Sequence, residues 1–234
     1  MAVVLVAAGR GRRLGGDLPK QYVPLAGACA LRRSAEAFLA LPAVRFVLPV
    51  IHPDDAALCA RAMEGVTDPR ALDPVPGGAT RALSVRRGLD ALERHAPDLV
   101  LIHDAARPFV PRPVIEEVIA ALRTAEGACA ALPVIDALWG AEGGWAGRSV
   151  PRDGLWRAQT PQGFAYDSIR RAHAAHDGAG ADDVAVAREA GIAVRMVRGS
   201  ERNYKITTAD DLERALAELG AEVPDARAAL ASRG

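Results

Sequence analysis

The chain has 234 residues, half of them hydrophobic, which suits one large α/β domain or a domain with a small appendage. Lys and Arg number 29, as do Asp and Glu, so no global field draws the chain to nucleic acid or to a membrane, and its cations must act locally. No apolar run approaches membrane-spanning length and the N-terminus reads directly into a strand. The three cysteines, Cys29, Cys59 and Cys129, stand apart among apolar residues and read as buried thiols of a reduced cytoplasm.

The first predicted strand, Ala2–Val6, feeds Ala7-Ala8-Gly9, then Gly11, Arg12, Arg13, Gly15, Gly16 and Pro19-Lys20. Glycines let backbone N–H groups approach phosphate oxygens and the cations neutralise them, so this loop suits a polyphosphate. Gly11 and Gly16 have P-loop separation, but Asp17-Leu18 replace the required Lys-Ser/Thr. The dinucleotide fingerprint fails as well: Gly15 falls one place late and Pro19 interrupts an early helix. The pattern A-A-G-x-G-x-R…P-K instead resembles the signature of nucleotidyltransferases that join a nucleoside triphosphate to a phosphorylated small molecule.

Further strands are predicted at Phe46–Ile51, Leu99–His103, Ala128–Val134 and Ala193–Val197. Helical periodicity covers Leu31–Leu41, Asp55–Met63, Ala82–Arg94, Pro113–Thr124, Tyr166–His176, Asp182–Ala190 and Ala209–Leu219. Strands separated by helices imply a Rossmann-like α/β fold with a mostly parallel central sheet. The loops after Val6, Ile51, His103 and Val134 then share one ligand-binding rim. Asp136–Trp156 breaks the alternation and reads as a β-arm that packs on a second subunit, because Trp139, Trp145 and Trp156 are costly to expose, the alternative being a disordered surface loop. Residues 1–220 read as the nucleotidyltransferase domain, with the arm at about 136–157, and 221–234 as a tail or linker.

Gly77-Gly78-Ala79-Thr80-Arg81, with Ser84 behind it, opens a helix and presents N–H groups to an acceptor. His103-Asp104-Ala105-Ala106-Arg107 closes a strand. Asp104 there suits a magnesium ion and Arg107 a phosphate, the alternative being a turn cap with a salt bridge. His103 is expected to be structural. Arg152-Asp153-Gly154-Leu155-Trp156-Arg157, Gln159-Thr160-Pro161-Gln162 and Asn203-Tyr204-Lys205 read as cationic loops returning to the same rim. His173 and His176 are expected to be solvated surface residues and Asp182-Asp183 to cap a helix. Thr208–Asp211 fits a capping box.

Taken in order, A-A-G-x-G-x-R…P-K-Q-Y, G-G-x-x-R-x-x-S-V, H-D-A-A-R-P, T-P-Q and N-Y-K-I-T-T-x-D-D-L resemble the 2-C-methyl-D-erythritol 4-phosphate cytidylyltransferases of non-mevalonate isoprenoid biosynthesis. The resemblance runs from about Ala2 to Leu219 and extends to versions fused to a cyclodiphosphate synthase. It implies CTP contacts at Ala7, Ala8, Gly9, Gly11, Arg12, Arg13, Lys20, Gly78, Ala79 and Ser84, with Arg13 and Lys20 as the cations at the reacting phosphorus. It implies Asp104 near magnesium and substrate, and Arg107, Arg152, Thr160 and Lys205 as substrate or catalytic-pocket contacts. It also implies a homodimer in which Arg152 acts in trans. One position departs from the family: Ala137 stands where a threonine commonly holds the substrate phosphate. That leaves ribitol 5-phosphate as the alternative acceptor. A uridylyl- or guanylyltransferase and a non-catalytic nucleotide-binding protein are the remaining alternatives.

Overall fold

The structure is a computed structural model that describes residues 1–10, 18–178 and 180–220. In chain order the elements are β1 (Ala2–Ala7), β2 (Pro24–Leu25), β3 (Ala28–Cys29), α1 (Ala30–Leu39), β4 (Phe46–Ile51), α2 (Ala56–Ala62), β5 (Val75–Pro76), α3 (Arg81–Ala91) and β6 (Leu99–Asp104). The second half adds α4 (Arg112–Ala121), β7 (Gly127–Pro133), β8 (Leu138–Glu142), β9 (Trp145–Val150), β10 (Trp156–Ala165), α5 (Tyr166–Ala175), α6 (Asp183–Glu189), β11 (Val194–Arg198) and α7 (Ala209–Glu218).

The alternation of β1 explains the layering. Val3, Leu5 and Ala7 enter one apolar core with α1 and α4, while Ala2 and Val4 enter a second core with α3, α5 and α6. A smaller cluster joins Leu25 and Ala30 to Ile206, Ala215 and Leu216, which seats α7. The seven-stranded sheet has the order β11-β7-β10-β6-β1-β4-β5. β1 lies parallel to β4 and β6, with Val4 opposite Leu48 and Ile102. The ends of β1, β4, β6 and β7 therefore reach one rim, as the strand pattern predicts.

The largest departure from the sequence reading is β10. Residues 156–165, expected as loop, form a ten-residue strand inside the sheet, antiparallel to both β6 and β7. Its sequence, WRAQTPQGFA, hides this because Gln159, Thr160 and Gln162 are polar yet buried. Their partners come from distant segments: Gln159 donates to the Ser200 carbonyl, and Gln162 to Asp182. Pro161 is tolerated because the ladder with β7 is interrupted between Ala158 and Gln162.

The expected arm is a separate two-stranded hairpin, β8 with β9. Gly143 and Gly144 form its turn with φ of 59° and 89°, the doubly positive conformation that a two-residue hairpin demands and that glycine supplies. Trp156 and Arg157 belong to the sheet instead. The capping box of α7 is present, with Thr208 and Asp211 bonding each other's backbone N–H. All three cysteines are buried and free, as expected. Burial raises the thiol of Cys59 to about 11 and that of Cys129 to about 12. Among the described residues no helix is long and apolar enough to cross a membrane.

Candidate active site at the C-terminal rim of the sheet

The first wall of the cleft is the end of β1. Ala7, Ala8 and Gly9 line it, with Lys20 beside them. The turn is held from behind by the buried Gln21, whose carboxamide donates to the Ala7 carbonyl at 2.5 Å and the Gly9 carbonyl at 3.1 Å. Arg10 fastens the same segment to the loop after β4 through Asp54 at 2.8 Å and Asp55 at 2.9 Å. Spacing assigns neither residue a role, because both act on backbone or on side chains about 45 residues away.

The second wall is the turn into α3. Gly77 donates to the Ile51 carbonyl, and a β-carbon at Gly77 would lie 2.5 Å from that of Ala8. Only glycine lets the two loops pass this closely. Ser84 accepts from the Gly78 N–H at 3.0 Å and donates to the Thr80 carbonyl at 2.9 Å, so its hydroxyl braces the turn it lines. Thr80 caps α3 by accepting from Leu83 N–H. The cleft thus meets a capped helix start with partial positive charge.

Asp104, at the tip of β6, forms the floor. Its Oδ2 accepts from Lys205 Nζ at 2.8 Å and its Oδ1 from Arg81 Nε at 3.3 Å, while Arg107 Nε lies 3.8 Å from Oδ2. Burial by itself raises a carboxyl, but Arg81, then Lys205 and Arg107, outweigh it and hold Asp104 well below the usual carboxylate range. Asp104 is therefore an anion at every physiological pH.

Behind the floor lies a polar brace. His103 is fully buried, and burial lowers its imidazole to about 4, so the ring is neutral. Its Nε2 faces the Arg107 carbonyl at 3.1 Å, an atom that only accepts, so Nε2 carries the proton. Nδ1 then accepts from the Thr160 hydroxyl at 3.1 Å, and that oxygen in turn accepts from the Asp104 N–H at 3.1 Å. Asn203 donates to the Thr160 carbonyl at 2.7 Å, and the Asn203 carbonyl takes Arg107 Nη1 at 2.7 Å. The brace fixes the backbone on both sides of Asp104 and aims Lys205, two residues beyond Asn203. The structural role expected of His103 follows.

The structure brings Ala7, Ala8, Gly9, Lys20, Gly78, Ala79, Ser84, Asp104 and Lys205 to one cleft. Gly11, Arg12 and Arg13 lie outside the described residues. Arg107 and Thr160 sit behind Asp104 rather than on the cleft lining, and Arg107 makes the salt-bridge contacts of its alternative reading. Arg152 is exposed in the turn before β10, where its guanidinium donates to the Ile135 carbonyl, away from this chain's cleft lining.

Two expectations are corrected. His173 is buried, not solvated, and Nε2 bonds Asp183 Oδ1 at 3.2 Å. His176 has a ring that is nearly enclosed and pairs with Glu189 at 3.1 Å. Asp182 caps α6 as expected, but Asp183 is a fully buried partner of Arg81 at 2.8 Å. The helical register explains the first of these: His173 follows the buried Ile169 by four residues on α5, so it faces inward and brings a polar ring to Asp183.

A cleft of about 340 Å³, open at the strand ends beside a glycine-bearing turn and a lysine and floored by a cation-paired carboxylate, is of ligand-pocket size. On this sheet it places the chain among the α/β nucleotidyltransferases. The sequence model described as "IspD: 2-C-methyl-D-erythritol 4-phosphate cytidylyltransferase" matches residues 1–221, and the chain belongs to that family. A protein of Cereibacter sphaeroides named 2-C-methyl-D-erythritol 4-phosphate cytidylyltransferase is 51% identical over 214 residues, covering 92% of this chain and 94% of that one. The "Bifunctional enzyme IspD/IspF" of Rhodospirillum rubrum is 53% identical over 216 residues, 92% of this chain; the match spans 56% of that protein, about half its length. The crystal structure of the Thermus thermophilus 2-C-methyl-D-erythritol 4-phosphate cytidylyltransferase superposes with a TM-score of 0.74 at 34% identity, covering 94% of this chain and 98% of that chain.

Proposed function

We propose that the chain transfers the cytidylyl group of CTP to the phosphate of 2-C-methyl-D-erythritol 4-phosphate, releasing pyrophosphate. The observation that carries this reading is the meeting of Lys20 and the glycine-bearing turn with the Asp104–Lys205 pair across one cleft. An acceptor phosphate oxygen attacks the α-phosphorus of CTP. A new P–O bond forms there as the bond to the β-phosphate oxygen breaks, and the electron pair leaves with pyrophosphate. A phosphate monoester has a second pKa of about 6, so the nucleophile is ionised at neutral pH and needs no general base. His103 is consistent with this, being neutral and committed to the brace.

The difficulty is then electrostatic, because two anions meet and charge gathers at phosphorus. Lys20 and Arg13 supply cations at the α-phosphate. The turn Ala7–Gly9, with Gly11 and Arg12, holds the triphosphate, and Gly78, Ala79 and Ser84 hold the nucleoside. Lys205 faces the acceptor with Asp104, and Arg107 and Thr160 support that pocket from behind through Asp104. Among the described residues, no group of three or more metal-ligating side chains occurs, and Asp104 is the one carboxylate on the cleft lining. That donor set fits a magnesium ion carried on the nucleotide's phosphates with one protein carboxylate, and does not fit a protein-built cage. When bound, such an ion neutralises phosphate charge.

The arm, β8 with β9, packs on a second copy of the chain in this reading, which brings Arg152 to the neighbour's cleft and covers the tryptophans. The protein works in the cytoplasm on small molecules. A pyrophosphate-release assay over the four nucleoside triphosphates and several polyol phosphates, with and without magnesium, tests the proposal. Turnover is expected with CTP and methylerythritol phosphate. Faster turnover of ribitol 5-phosphate reassigns the acceptor, and CTP binding without pyrophosphate release overturns the reading.

A further inference from the structure

Arg81, the arginine of the G-G-x-x-R-x-x-S-V motif, stands between two buried carboxylates and has no role assigned above. Its Nη2 donates to Asp183 Oδ2 at 2.8 Å, and its Nε reaches Asp104 Oδ1 at the longer 3.3 Å. Asp183 is fully buried and fixed: Oδ1 takes His173 Nε2, and the neighbouring Asp182 and Val184 are tied to Gln162 of β10. Asp104, in contrast, lies at the cleft and has a second cation, Lys205, at 2.8 Å. Each Asp104 oxygen already faces a cation, so an ion or cationic group arriving at this carboxylate competes with Lys205 or Arg81 for it. Arg81 is the one to leave: its bond to Asp104 is the longer, and its other bond holds it beside the cleft that it lines. A guanidinium has five N–H donors in a fixed fork, so rotation about the Asp183 anchor leaves donors to offer a phosphoryl oxygen.

We propose that Arg81 is a further substrate-contacting cation, pivoting on Asp183 and exchanging Asp104 for an anionic phosphoryl oxygen of a bound substrate. Asp183, backed by His173, is the positioning residue of this device. The exchange frees one oxygen of Asp104 as the substrate's negative charge arrives, so the cleft keeps its charge pairing in both states. The inference rests on the transferase reading above.

The test uses Arg81→Gln and Asp183→Asn beside the wild-type chain, with steady-state kinetics for CTP and for the acceptor, calorimetric titration of CTP alone, and thermal unfolding. Pyrophosphate release by the wild type first establishes the reaction; its absence defeats that reading and leaves the role of Arg81 to be judged by CTP binding. For Arg81→Gln the KM of one substrate is expected to rise by ~10-fold or more, the cost of a lost charged hydrogen bond, with the other changed little. Asp183→Asn keeps Arg81 but removes its anchor, and the same substrate's KM should rise by a smaller factor. Weakened CTP binding assigns the oxygen to the nucleotide; unchanged CTP binding with a raised acceptor KM assigns it to the acceptor phosphate. Both KM values staying within about 2-fold in a folded Arg81→Gln overturn the proposal. If that variant fails to unfold cooperatively, unchanged KM values in Asp183→Asn overturn it instead.

Discussion

The cleft floor and the β8–β9 arm satisfy their side chains in opposite ways. At the floor Asp104, Arg81, Lys205, Asp183, His173, His103 and Thr160 find partners within the chain, over sequence separations of up to 102 residues. On the arm, Trp139 and Trp145 are 60% and 80% exposed, and the hairpin forms a sheet of its own. At the floor each of these charges is matched by a neighbour in a dry setting, where an unmatched one is costly. The arm is a two-stranded ribbon of a kind that is marginal in water, and it shows apolar rings to solvent. The contrast teaches that electrostatic preorganisation is built inside one chain, while the arm leaves apolar surface that this chain does not itself cover.

The sharpest way to break that contrast is to remove a cation from the cleft while leaving the floor intact. Lys20→Ala is expected to lower kcat by roughly 10²- to 10³-fold, about 3–4 kcal/mol of transition-state stabilisation, on the scale of a lost oxyanion contact. Lys20→Arg need not restore it, since a planar fork does not replace a compact ammonium charge. Unfolding by urea should hardly change, because the Asp104 network keeps all its own charges in this variant. A near-wild-type kcat in Lys20→Ala would show that the charge at phosphorus is met elsewhere.

Acid probes the floor itself. Burial holds His103 at about 4, against an ordinary value near 6.5, so the unfolded chain binds the extra proton first. Stability from this group is complete above the unfolded value and is lost as pH falls from about 6.5 toward 4. Between pH 7 and pH 5 the loss is about 2 kcal/mol. Asp104 and Asp183, both held below the ordinary carboxylate value, lose their contribution only below about pH 4, so they do not confuse this window. Urea unfolding of the wild type and His103→Gln at the two pH values checks the assignment. Equal pH dependence in both proteins would remove His103 as its source.

What could be read from sequence follows the same division. The rim was legible because its chemistry is local: Ala7–Gly9, Lys20, Gly77–Ser84 and Asp104 sit where strands end, in residue types whose conformation or charge announces a use. The brace was not legible. Thr160, Asn203 and Arg81 stand in motifs the sequence shows, but their bonds join segments far apart in the chain, and the polar stretch that forms β10 carries no alternation to announce a strand. One signal was available: His173 falls on the inward face of α5 by its spacing from Ile169, and a histidine there requires a buried partner.

The smallest effect on the fold, and the most direct sharpening of the comparison, is expected at the arm. Trp145 makes the turn end of β9 opposite Glu142, and most of its surface meets solvent. Replacing it by serine removes little that the single chain buries, so monomer unfolding should shift by less than about 0.5 kcal/mol, the range of ordinary surface substitutions. If a second copy covers this ring, the same substitution strips a large aromatic from an interface, where such residues dominate affinity. Sedimentation of wild type and Trp145→Ser across a concentration series separates the two effects. A weakened dimer with unchanged monomer stability is expected. A wild type that stays monomeric at all concentrations would mean that the exposed rings serve another surface, and that Arg152 has no neighbouring cleft to enter.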